Sequence, residues 1–207
     1  RIDVMRSSDG NTVHSADALL RPTPSRAYRM AMPVHAPDLD WTVDRALALP
    51  SDGNRYEVLD GELFVTPAPS VPHQLILSRL FTQLHAYIES NRLGYLLWSP
   101  ADIAFSPRRL VQPDLFVVPW RESGLPRDWS DITSLLLAVE VLSPSTARAD
   151  RHRKRVIYQE QGVSEYWIVD GDARLVERWR PSDARPEICT DTLEWQPRAA
   201  LPPWHLH

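Results

Sequence analysis

The spacing of apolar residues changes period several times along the chain, and each change marks an element. Residues 41–49 (Trp-Thr-Val-Asp-Arg-Ala-Leu-Ala-Leu) predict a short helix with Thr42 as its N-cap, stopping before Pro50. Arg55–Leu59 and Glu62–Thr66 flank Asp60-Gly61, a pair that accepts the positive φ angles of a tight turn, so they predict a β-hairpin. Between His73 and Ser90, the residues Ile76, Leu80, Leu84, Tyr87 and Ile88 recur at three- and four-residue spacing, with Leu77 and Phe81 widening the stripe. That is a helix, and Gly94 is its expected C-cap. Strand-like runs follow at 95–98, 102–105, 110–118 and 135–142. The last two are almost continuously apolar, as in central strands covered on both faces. A second helix is predicted over 146–161, a hairpin over 165–179, and an edge strand within 186–195. Hairpin, helix, strands, helix, strands is the order of an α/β domain: a mixed central β-sheet with flanking helices.

Residues 1–40 lack either period and are polar and Pro-containing, which predicts a poorly structured N-terminal extension before a single domain at 41–207. The chain opens on Arg1, and Met30 and Met32 stand just ahead of the first patterned segment. The first 29 residues are therefore expected to be upstream sequence that adds nothing to the fold. Among 207 residues, Cys189 is the only cysteine, so a disulfide framework and a Cys-rich metal site are excluded. No apolar run has the length of a membrane span and no signal core precedes the domain, giving the expectation of a cytoplasmic protein without membrane contact. A formal net charge of −4 argues against coating nucleic acid by bulk electrostatics. It leaves room for an enzyme whose metal-binding acids enter that total.

Two acids interrupt the apolar runs: Asp114 in Val-Gln-Pro-Asp-Leu-Phe-Val-Val and Glu140 in Leu-Ala-Val-Glu-Val-Leu. A bare carboxylate among aliphatic residues is costly unless paired or metal-bound, and two on adjoining strands repel. A divalent cation between them removes both problems, and hard oxygen ligands suit Mg2+ or Mn2+. The alternative is that each acid makes its own ion pair or faces solvent at a strand end. The basic run 148–155 follows the Glu140 strand. On a helix, Asp150, Lys154 and Tyr158 share one face, so Lys154 is aimed at a phosphate or a nucleophilic water, with Arg148, Arg151 and Arg155 on flanking phosphates. A solvated face carrying an Asp150–Lys154 pair explains the same run. Ser143 and Ser145 beside Pro144 lack nucleophile-elbow glycines and fit turn formation and capping. Tyr166 and Trp167 read as core or interface aromatics.

Taken together, Pro113-Asp114 and the strand acid Glu140 resemble the PD-(D/E)xK nuclease superfamily, and more narrowly the Uma-two family of restriction endonucleases. The resemblance is carried by Arg55-Tyr56-Glu57-Val58-Leu59-Asp60-Gly61-Glu62, Pro67-Ala68-Pro69-Ser70 with His73 after it, and Gln112-Pro113-Asp114. It continues in Glu140-Val141-Leu142-Ser143-Pro144-Ser145-Thr146 and in 162–170. It implies a restriction-endonuclease-like fold, a divalent metal on Asp114, Glu140 and the Val141 carbonyl, and DNA as substrate. The superfamily pattern places a lysine two residues after the second acid, where this chain has Leu142. The resemblance implies that the role has moved to Lys154. Glu57, Glu62 and His73 are additional candidates: Glu57 or Glu62 as a further carboxylate, His73 to bind phosphate, orient a carboxylate or cap its helix.

Three functions are consistent with these residues: a Mg2+- or Mn2+-dependent DNA endonuclease, a catalytically inactive module binding nucleic acid or protein, and a hydrolase of small phosphoesters. Cutting both strands of a duplex calls for two sites, so a homodimer is expected, with the aromatic residues of 166–179 as a candidate interface.

Overall fold

The computed structural model describes residues 40–122, 124 and 126–206. Of the expected N-terminal extension only Asp40 is included, so that expectation, with the upstream origin of the first 29 residues, lies outside the described residues.

Helix α1 (Val43–Leu47) is capped by Thr42, whose hydroxyl accepts from the Arg45 N–H. Strands β1 (Arg55–Leu59) and β2 (Glu62–Thr66) form the expected hairpin, with Asp60 and Gly61 at φ 55° and 88°. Helix α2 (Val71–Ser90) starts at Ser70 and buries Leu77, Leu80, Leu84 and Ile88 along one stripe. Gly94 is not its C-cap. The chain reverses at Arg92 (φ 48°), and Gly94 opens strand β3 (Gly94–Trp98). There a Cβ would overlap the Val118 carbonyl, so glycine is demanded by a close backbone approach.

The apolar run 110–118 is two strands rather than one. Strand β4 (Ile103–Ser106) pairs with β5 (Arg109–Val111), and both join β1 and β2 in a four-stranded sheet of order β2-β1-β5-β4. After Gln112-Pro113-Asp114 the chain enters β6 (Leu115–Pro119), which belongs to a different sheet. Pro113 has no N–H to give a ladder, which makes it a natural break. Strand β6 pairs with β7 (Leu137–Val141), which runs parallel to β8 (Glu165–Asp170). With β9 (Leu175–Trp179) and β10 (Glu187–Cys189) the second sheet has the order β10-β9-β8-β7-β6-β3. The β7–β8 pair is its one parallel step among the described residues, so the sheet is mixed as expected. Strands β11 (Leu193–Trp195) and β12 (Trp204–Leu206) form a small separate ribbon.

Alternation along β6, β7 and β8 sorts the core onto two faces. Leu115, Val117, Leu137, Val139 and Trp167 meet α2 on one face. Phe116, Val118, Ala138, Tyr166 and Ile168 meet Ile157 and Tyr158 on the other. The predicted second helix is composite: α3 (Ala147–Ala149), a wider π-helical turn (Asp150–Lys154), then α4 (Arg155–Glu160). The aromatics Tyr166, Trp167 and Trp179 are all buried within the protomer, so they offer no dimer interface. No helix among the described residues is long and apolar enough to cross a membrane.

Candidate functional site

The register of β6 against β7 sets the site. Leu115 stands opposite Val139 and Phe116 opposite Ala138, so the step before places Asp114 opposite Glu140. Glu140 points to the face that carries Tyr158 and Ile157, toward the composite helix, whereas Asp114 reaches from its loop to Arg55 of β1, His73 of α2 and the Val141 N–H. Both are 2 % exposed. The sequence expectation put Asp114 inside a strand; it sits in the loop immediately before β6, where Ser99 holds that loop by donating its N–H to the Asp114 carbonyl.

Three donors hold the Asp114 carboxylate. Arg55 Nη1 donates to Oδ1 at 2.7 Å, and His73 Nε2 and the Val141 N–H reach Oδ2, each at 2.9 Å. Burial alone would push this carboxyl up, but His73, Arg55 and the Val141 N–H prevail and hold it at about 2. Arg55 itself is raised: the charges of Asp114, Glu57 and Glu140 outweigh its burial.

Behind Asp114, Lys154 is 1 % exposed and lies among three carboxylates. Its Nζ is 3.0 Å from Glu140 Oε1, 3.0 Å from Glu57 Oε1 and 3.3 Å from Asp150 Oδ1. Tyr158 donates its hydroxyl proton to Glu140 Oε1 at 3.1 Å, and the Gln112 N–H donates to Glu57 Oε1 at 2.8 Å. Burial, with the charges of Asp114, Asp150 and Glu57, pushes Glu140 well above the usual carboxyl range despite Lys154. Burial raises Asp150 too, against the opposing pull of Lys154. Lys154 is raised as well, because burial is outweighed by the three acids around it. The π turn belongs here: a widened turn re-aims side chains and recurs at functional sites, and its last residue is Lys154.

Four carboxylates (Asp114, Glu140, Glu57 and Asp150) thus face two permanent cations, Arg55 and Lys154. Glu140 and Asp150 are left short of the positive charge that would favour their ionised forms, which a divalent cation would supply, and the donors are hard oxygens of the kind Mg2+ and Mn2+ take. Asp150 shows the same deficit, since neither of its buried oxygens has a well-formed hydrogen bond. No three His, Cys, Asp or Glu side chains among the described residues already stand in metal-binding array. The acids that fit a cation are Asp114 and Glu140, which would exchange contacts with Arg55, His73 and Lys154 to take it.

The other sequence candidates divide. Glu57 joins the cluster and His73 orients a carboxylate, whereas Glu62 lies outside it with Arg153 Nη2 at 3.0 Å. Arg151 is engaged elsewhere, on Glu177 at 2.6 Å and Asp170 at 3.1 Å; Arg148 is exposed at the start of the helix. Arg55, Gln112 and Asp150 had been given no place in the site. Strand alternation could have found Arg55, because it shares a face with Glu57 two residues on.

A family model described as "Uma2: Putative restriction endonuclease" matches residues 43–207. The chain belongs to this family. This chain is also similar to a solved structure, the crystal structure of "a putative nuclease belonging to DUF820" from Anabaena variabilis. The identity is 20 %, the coverage 73 % of this chain and 85 % of that one, and the TM-score 0.62. At that identity the likeness shows the fold alone, a mixed α/β fold as the sequence pattern predicted. No curated protein matches the chain.

Proposed function

We propose that the protein is a divalent-metal-dependent endonuclease that hydrolyses phosphodiester bonds of DNA. The observation that carries this is the buried Asp114 carboxylate on the Val141 N–H at 2.9 Å, next to buried Glu140, with Lys154 Nζ 3.0 Å from Glu140. Asp114, Glu140 and the Val141 carbonyl would hold Mg2+ or Mn2+. Such an ion, when bound, polarises a phosphate and lowers the pKa of a coordinated water. Arg55 and His73 fix the orientation of Asp114, and Tyr158 that of Glu140. Lys154 supplies a fixed positive charge beside the oxygens on which negative charge develops, in a buried setting where that charge acts strongly. It thus takes the role of the lysine absent from position 142. Exposed Arg148 serves as a contact for a flanking phosphate, and two protomers would serve two strands.

A second function, nucleic-acid or protein binding without catalysis, is favoured by one observation: the acids are already partly neutralised by Arg55 and Lys154. Cleavage of duplex and single-stranded DNA in Mg2+ and Mn2+ separates the two. Metal-dependent cutting by wild type that is abolished in Asp114→Ala supports the endonuclease. Cutting by Asp114→Ala at the wild-type rate refutes the assignment, and tight DNA binding with no cutting in any metal establishes the second function.

A further inference from the structure

A cleft of about 710 Å3 ends on Asp114, and most of its lining lies outside the acid cluster. Arg55, His73 and Asp114 line one part; Phe81, Trp98 and Gln112 are among the residues lining the rest. The volume lies in the range of small-ligand sites and greatly exceeds what one phosphate needs. Phe81 and Trp98 meet edge to face, with ring centroids 4.9 Å apart, and Trp98 is 56 % exposed. Three buried polar atoms on these lining residues have no partner among the described residues: Gln112 Oε1, Arg55 Nε and His73 Nδ1. Gln112 is 7 % exposed, and its Nε2 is already committed to Asp102 Oδ1 at 2.8 Å, so its free atom is purely an acceptor. Orphaned atoms of this kind are rare in native proteins and call for a ligand or ordered water. An aromatic wall, a buried acceptor and a nearby carboxylate together suit a flat ring carrying N–H donors. The free Arg55 Nε–H beside Asp114 suits the phosphate attached to it.

We propose that this cleft is a nucleoside subsite that takes one unpaired base next to the scissile phosphate, so that the preferred substrate is single-stranded or locally unpaired DNA. This rests on the endonuclease reading for its phosphate, but the base contacts stand apart from catalysis. A paired base is stacked on both sides and has its N–H donors engaged; only an extruded or single-stranded base can fill such a cleft. Trp98 stacks on the base, and Gln112 Oε1 with Asp102 accepts from its N–H edge.

The test is fluorescence of 2-aminopurine, a base analogue quenched by stacking, placed in a short single strand and titrated with the full chain in Ca2+. The same strand annealed to its complement is titrated beside it. Quenching is expected for the single strand, with binding at least about tenfold weaker for the duplex. Trp98→Ala weakens single-strand binding about tenfold, the usual worth of one stacking aromatic. Ser78→Trp, on an exposed lining position of α2, blocks the cleft and abolishes quenching. Thr82→Trp on the same helix does the same if Ser78→Trp fails to fold. Binding without quenching, or equal quenching by the blocked variants, overturns the subsite. Cleavage is read in parallel. Equal cutting of fully paired DNA by wild type and Ser78→Trp overturns the subsite while the endonuclease stands. Quenching with no cutting in any metal keeps the subsite and sinks the endonuclease.

Discussion

Lys154 gives the sharpest test of how the site is held together. Lys154→Met keeps the length of the side chain and removes a charge that lies 3.0 Å from both Glu57 and Glu140 and 3.3 Å from Asp150. Breaking a buried pair by removing one partner costs about 3–5 kcal/mol, and three acids sharing one cation put this variant toward the upper end. The loss is limited because the abandoned acids can protonate. Glu140 and Asp150 are already raised, and without Lys154 they rise further. A group whose folded pKa is raised contributes stability below its unfolded pKa and loses it as pH rises through the folded value. The gap between wild type and Lys154→Met should therefore widen from about pH 5 to about pH 8 in urea unfolding, from roughly 2 to roughly 5 kcal/mol. The same vacancy of charge invites a cation, so Mg2+ or Mn2+ at about 100 times its Kd should return about 2.7 kcal/mol to the variant. A loss below about 1 kcal/mol, or a gap independent of pH, would refute the account of the cluster.

Two further outcomes follow from the geometry. Asp114, held at about 2 against an unfolded value of about 3.9, contributes roughly 2–3 kcal/mol near neutral pH. Because its folded pKa is lowered, that contribution is present above the unfolded value and lost as pH falls through the folded one. The unfolding free-energy gap between wild type and Asp114→Asn should accordingly narrow on acidification below about pH 4, and a gap that stays constant would count against the Arg55 and His73 contacts. Gly94→Ala should destabilise by about 3 kcal/mol in the same assay, since its Cβ would meet the Val118 carbonyl; a helix C-cap role would leave β3–β6 packing intact and cost about 1.

Much of this was legible in the sequence because period and context agree. Strands covered on both faces announced themselves as apolar runs, so the two acids within them stood out, and both are buried, with the Val141 N–H beside Glu140 donating to Asp114. The i, i+4 spacing also brought Asp150 and Lys154 together, although through a π turn that no spacing rule foretells. What stayed hidden depends on chain paths between sheets. The run 110–118 reads as one strand, yet Pro113 divides it between two sheets, and this break leaves Asp114 in a loop where Arg55 and His73 reach it. Glu57 and Glu62 are indistinguishable by type, and only the packing of β1 against the composite helix buries one and leaves the other with Arg153. Arg151 looked like a phosphate ligand because its partners Asp170 and Glu177 come from strands further along the chain. The Gly94 error has the same origin, a contact between strands mistaken for a local need.

The central claim is that Asp114 and Glu140 together hold a divalent cation, and isothermal calorimetry of Mn2+ into wild type and Glu140→Gln tests it most directly. That substitution keeps the shape of the side chain and removes the charge. The account predicts saturable binding near one ion per chain in wild type and its loss in the variant. Equal binding by both proteins would contradict it.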